Sequence, residues 1–160
     1  MNKKTGPIIL IVVIFLLAFM ASAWGHCEIP CGIYDDDARF DMLEEHITTI
    51  EKSMDEITRL SAEGDKNYNQ LVRWIINKEN HAEKFIAIVS QYFITQRIAP
   101  VTPDQGQKFT DYQKSLTLTH QLIHYAMKTK QTVDKANTTK LRELVSQYRE
   151  HYFKDHGHTP

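Results

Sequence analysis

Apolar residues are distributed along this chain in two ways. The first is an unbroken run, Ile8 to Met20, 13 residues long, behind a short basic start of Asn2, Lys3 and Lys4. Such a run is too short for an ordinary membrane-spanning helix and suits the core of a signal peptide. After it the pattern becomes periodic. Phe40, Leu43, Ile47, Ile50, Met54 and Ile57 recur at alternating steps of three and four, which lines one face of a helix. A second stripe holds Leu71, Trp74, Ile75, Phe85, Val89, Tyr92 and Phe93. A third holds Phe109, Tyr112, Leu116, Leu122, Ile123 and Ala126, and a fourth Leu141, Leu144, Val145, Tyr148 and Tyr152.

The residues between the stripes read as helix ends. Asp35-Asp36-Asp37 offers capping carboxylates at the start of the first helix. Gly64 is a natural stop for it. Asn67, with Gln70 three residues on, marks the second start. Thr102-Pro103-Asp104-Gln105 combines a capping Thr, a Pro at the first helical position and a Gln at the capping-box position, predicting that the third helix begins there. The fourth begins around Asn137. The fold class is therefore all-α: an up-down four-helix bundle over residues 35–153, with a polar tail over 154–160.

The leader occupies residues 1–25. Signal peptidases select small side chains at the third and first positions before the cut, and Ala23-Trp24-Gly25 supplies them. A cut after Gly25 makes His26 the first residue of the mature protein. A cut after Ala23, through Ala21-Ser22-Ala23, leaves Trp24-Gly25 in front. Export to the periplasm or the extracellular space is the expectation, with a maturation protease as partner and no membrane association after cleavage. The leader takes two lysines with it, leaving 17 basic against 20 acidic side chains. That balance does not favour nucleic acid. There is no Gly-rich phosphate loop and no nucleophile signature.

Both cysteines of the chain, Cys27 and Cys31, lie directly behind the proposed cut. In an exported protein, cysteines so spaced can close a small disulfide loop. They can also bind zinc or copper, although three side-chain ligands within six residues are few for structural zinc. A free amine on His26 adds a further donor. With the backbone nitrogen and thiolate of Cys27 it forms two fused five-membered chelate rings, and the Cys31 thiolate closes the plane. Planar nitrogen and sulfur donors favour nickel(II) or copper(II) over zinc. The His26 imidazole is placed for an axial position, Pro30 stiffens the turn and Gly32 lets the chain leave it.

The nine residues His26-Cys27-Glu28-Ile29-Pro30-Cys31-Gly32-Ile33-Tyr34 resemble the nickel-binding hook of nickel superoxide dismutases, matching every fixed position of His-Cys-x-x-Pro-Cys-Gly-x-Tyr. Asp35-Asp36, Val72-Arg73-Trp74, Lys78-Glu79-Asn80-His81-Ala82 and Ser90-Gln91-Tyr92-Phe93 are similar to further segments of that family. The resemblance implies a four-helix bundle with one nickel ion per subunit, assembled as a homohexamer and loaded with the help of a nickel chaperone. It implies conversion of superoxide to dioxygen and hydrogen peroxide by nickel(II)/nickel(III) cycling. His26, Cys27 and Cys31 become the metal ligands, and Pro30 follows a cis peptide bond. Tyr34 becomes the gate at the open face of the metal, and Tyr92 a second tyrosine near it. Where some members place an acid and an arginine to steady the histidine, this chain has Met42 and His81, so His81 is the candidate for that supporting role.

The other histidines have plainer readings. His120 and His124, four apart, belong on a solvated helix flank. His46 reads as an ordinary helix residue, and His151, His156 and His158 as a histidine-rich tail. An exported carrier of nickel or copper and a purely structural bundle with a Cys27–Cys31 disulfide are the competing functions. Tyr34 over the hook separates an enzyme from a carrier, which does not need it.

Overall fold

The stripe Phe40, Leu43, Ile47, Ile50, Met54 and Ile57 is buried along its whole length in a computed structural model of the chain. The chain divides into a unit Met1–Cys31 and a unit Gly32–Pro160. The structure describes residues 36–64 and 66–156, all in the second unit. Helix α1 runs Asp36–Ala62, α2 runs Tyr68–Ala87, α3 runs Gln107–Gln131 and α4 runs Ala136–His156. Consecutive helices pack on one another and α4 returns against α1. This is the up-down four-helix bundle that the four stripes predict. Among the described residues no helix is long and apolar enough to cross a membrane.

The termini follow local chemistry, with three departures from the sequence reading. Gly64 ends α1 at a φ of 71°, a left-handed conformation that glycine adopts without a Cβ clash. Thr102-Pro103-Asp104-Gln105 starts only a single 3₁₀ turn, Pro103–Gln105. Gly106, at a φ of 58°, then breaks the path, and α3 begins at Gln107. At the start of α2 the Asn67 side chain turns back to Glu63 instead of capping the helix. Beyond Phe153, α4 continues as helix to His156.

The core is richest where α1, the C-terminal part of the second helical stretch, and α4 meet. Phe40 lies 4.8 Å from Phe93, 5.7 Å from Tyr148 and 5.6 Å from Tyr152 between ring centroids. All four rings are buried. Tilted and edge-on contacts of this kind add to what the buried area contributes. The first half of α2 is different. Its predicted inward residues Leu71 and Trp74 are only half-buried, and Ile75 is exposed. Polar groups hold that half instead. Asn77 donates to Ser53 Oγ on α1 at 3.0 Å. Lys78, 4% exposed, donates its ammonium to the carbonyls of Thr129 and Lys130 at 2.5 and 2.7 Å. A cation on the last carbonyls of α3 satisfies groups that the helix itself leaves unpaired. Arg142 ties α4 to α1 by forking onto Glu44 and Glu51, 2.7 Å to each.

Phe40→Ala therefore removes the ring on which three others pack, and unfolding in urea should show a loss of about 3–5 kcal/mol. A loss below about 1 kcal/mol would mean that the aromatic cluster does not carry the bundle.

Candidate active site

The part of the bundle that carries Tyr92 is made by a change of helical pitch. After Ala87 the second helix continues as a π-helical segment, Ile88–Arg97. Side-chain hydroxyls compete for backbone carbonyls in and just before it: Ser90 Oγ donates to Ile86 O at 2.8 Å and Thr95 Oγ1 to Ser90 O at 2.8 Å. The amide of Ile98 bonds the carbonyl of Phe93 five residues back, at 3.1 Å. In this wider turn, residues five apart stack on one another. Tyr92 and Arg97 are five apart, and Arg97 Nη2 donates to the Tyr92 hydroxyl at 2.7 Å.

One carboxylate gathers this end of the bundle. Asp36, the first residue of α1, accepts a hydrogen bond from the Tyr92 hydroxyl. It accepts another from Tyr152 of α4 at 2.8 Å and pairs with Arg97 at 3.1 Å. The positive end of the α1 dipole favours a carboxylate in that place. Burial and the bond to Asp36 raise the Tyr92 phenol above its ordinary value, with Arg97 opposing. The same two causes push the Tyr152 phenol far higher. Both therefore keep their protons at neutral pH and act as donors. The guanidinium groups of Arg39 and Arg97 each lie 4.8 Å from the centre of the Tyr92 ring, a favourable cation–π distance.

His26, Cys27, Pro30, Cys31 and Tyr34 lie outside the described residues. Tyr92 is in the cluster just described, and Asp36 follows Tyr34 by two residues in the chain. His81, on α2, faces His46, which the sequence reading took for an ordinary helix residue. Its Nδ1 is 3.1 Å from Nδ1 of His46, and the rings meet edge to face at 5.0 Å. The signal was there: His46 stands three residues after Leu43 and four before Ile50, on the buried face of α1. Met42 is 38% exposed, with Arg39 Nη1 3.8 Å from its sulfur. Arg97 was missed, because a pitch change is not visible in an apolar pattern, and Asp36, read as a capping carboxylate, also gathers Tyr92, Tyr152 and Arg97. His120 and His124 are exposed, as a solvated flank requires. His151 is not part of a tail: it is 7% exposed on α4, with Nε2 3.0 Å from Ser115 Oγ and 3.1 Å from the Asp111 carbonyl.

Among the described residues no group of three or more His, Cys, Asp and Glu side chains is arranged to hold a metal ion. A model of the family of nickel-containing superoxide dismutases matches residues 20–156. No curated protein and no solved structure matches the chain.

The His46–His81 contact sets a pH dependence. Two facing Nδ1 atoms can share one proton but not two. Burial, first, and then the charge of the partner lower the His46 pKa; burial and Lys84 lower that of His81, with Glu45 opposing in both. The unfolded chain therefore takes up protons before the folded one. Stability is whole above the ordinary histidine value of 6.5 and falls as the pH drops below it. Urea unfolding at about pH 7.5 and about pH 5.5 should show this loss in the wild type and a smaller one in His46→Gln. Equal losses in the two proteins would remove the pair from the account.

Proposed function

The chain belongs to the family of nickel-containing superoxide dismutases, and we propose that its nickel is held by the segment that begins at His26. The activity is nickel-dependent dismutation of superoxide to dioxygen and hydrogen peroxide, with one nickel per subunit. The observation that carries the site is the run His26 to Tyr34, which lies within the matched residues 20–156 and contains both thiols of the chain.

The donor set fits nickel. Cys27 and Cys31 supply thiolates, the soft, charge-donating ligands that a redox metal needs in order to reach a higher oxidation state. The amine of a freed His26 and the backbone nitrogen of Cys27 would complete the set, with the His26 imidazole as a further donor. When bound, nickel would supply the one-electron couple, nickel(II)/nickel(III), that dismutation of superoxide requires. The chain's own residues govern access. Tyr34 is the proposed gate. Tyr92 is fixed by Asp36 and Arg97, so its ring stays where it is and its hydroxyl keeps its proton. With more acidic than basic side chains in the whole chain, attraction of an anionic substrate has to be local. Arg39 places positive charge at the Tyr92 ring, where Asp36 offsets the charge of Arg97.

Export and assembly complete the reading. The leader 1–25 directs the chain to the periplasm or the extracellular space, a maturation protease frees His26, and a nickel chaperone loads the hook. The assembly is a homohexamer. In support, Tyr68, Val72, Ile75 and Ile76 lie at helical spacing on one side of α2 and are 60%, 51%, 39% and 52% exposed. Such a patch is the usual mark of a surface that meets another chain.

The test is substitution of the thiols. In Cys27→Ser or Cys31→Ser, nickel content should fall to background and superoxide turnover with it. The helical circular dichroism should be unchanged, because neither cysteine belongs to an apolar stripe. Retained turnover, or loss of the helical signal, would count against the assignment.

A further inference from the structure

Two histidines on neighbouring helices turn the same ring nitrogen toward each other. His46 on α1 and His81 on α2 bring their Nδ1 atoms to 3.1 Å, with the ring centres 5.0 Å apart. The centres are less than two ring radii further apart than the nitrogens, so the approach is bent and not along one line. A proton shared between two nitrogens prefers an angle above about 150°. A metal ion bound to both wants the bend. Two imidazole nitrogens about 2.0–2.1 Å from one ion, at right-angled to tetrahedral directions, stand about 2.8–3.4 Å apart. The pair in this chain lies inside that window.

The surroundings suit such a site. His46 is 8% exposed, on the face of α1 that also buries Leu43 and Ile50, so packing holds its ring. His81 is only half-buried and leaves the pair open to solvent on its side. Burial lowers the pKa of both rings below the ordinary value of 6.5. At neutral pH they are uncharged, which is the form that binds metal. Glu45 and Lys84 are the charged groups that act on both rings. A cation gains from the first and is opposed by the second. Among the described residues no third His, Cys, Asp or Glu completes a set with them, so water takes the other positions. Imidazole donors select zinc, nickel or copper, whereas calcium and magnesium require oxygen.

We propose that His46 and His81 form a second metal site, bound through both Nδ1 atoms, for a divalent ion of the zinc, nickel and copper class. The proton that the two nitrogens share moves by way of solvent to Nε2 of the ring that carried it, so each imidazole stays neutral and no proton is released. The site takes no ligand from the segment His26–Tyr34 and does not depend on nickel being held there.

Zinc chloride is the probe, titrated into the nickel-loaded, ¹⁵N-labelled protein after free nickel is removed, at about pH 7.5, where both rings are neutral. The ring nitrogens of His46 and His81 are the readout. The expected result is a saturable shift of both Nδ1 resonances, with one zinc per chain and the nickel content unchanged. His81→Gln should weaken zinc at least tenfold, since even groups outside a ligand set are worth about 10–100-fold in metal affinity. Lys84→Gln changes an exposed residue, so it should fold normally, and it should tighten zinc several-fold by removing the opposing charge. His120→Gln, on the solvated flank of α3, should leave zinc binding as it is. Nδ1 resonances that do not move would overturn the site and leave the pair sharing only a proton. So would zinc uptake equal in the wild type and His81→Gln, which would place the ion elsewhere on the chain. Nickel content reports on the hook and the ring resonances on this pair, so the two readings fail separately.

Discussion

Asp36 brings a carboxylate to the point where three helical stretches converge, and the ordering of that end of the bundle depends on its being saturated. Tyr92, Tyr152 and Arg97 all direct donors at it. A charge in a partly buried place is costly unless it is paired and hydrogen-bonded. Here the pairing does more than offset that cost. It links the first residue of α1 to the π-helical segment and to the last turns of α4. Removing the carboxylate would leave a guanidinium and two phenols to find other partners in the same small space.

The pitch change next to it has a matching consequence. Within a regular α-helix, Arg97 would be displaced around the axis from Tyr92. In the wider turn it lies over the same ring and reaches the same hydroxyl. The aromatic cluster of Phe40, Phe93, Tyr148 and Tyr152 packs directly behind. Tyr92 is thus held by apolar packing on one side and by a saturated polar group on the other. The redox chemistry is proposed for the segment His26–Tyr34, and the bundle is stabilised by contacts of its own.

Much of this was legible in the chain. The inward faces of α1 and α4 could be read residue by residue, because a heptad seam on a helix buried along its length leaves no ambiguity. The first half of α2 could not, because its contacts are polar: Asn77 to Ser53, and Lys78 to the end of α3. Apolar periodicity carries no trace of a buried lysine. The start of α3 was misplaced by one turn because Gly106 interrupts an otherwise well-formed helix signal. His151 looked like part of a polar tail, and only the return of α4 beside α3 shows that it faces Ser115. The hook reading, made from the order of its donor atoms, falls outside the described residues, and the family match spans its positions.

The account rests on one covalent event, since His26 can give an amine to the metal only as the first residue. Sequencing the N-terminus of the active, nickel-loaded protein tests this directly. The prediction is a single sequence beginning His-Cys-Glu-Ile-Pro-Cys. Fully active protein that still carries Trp24-Gly25 ahead of His26 would contradict it, and the nickel would have to be held by some other set of donors.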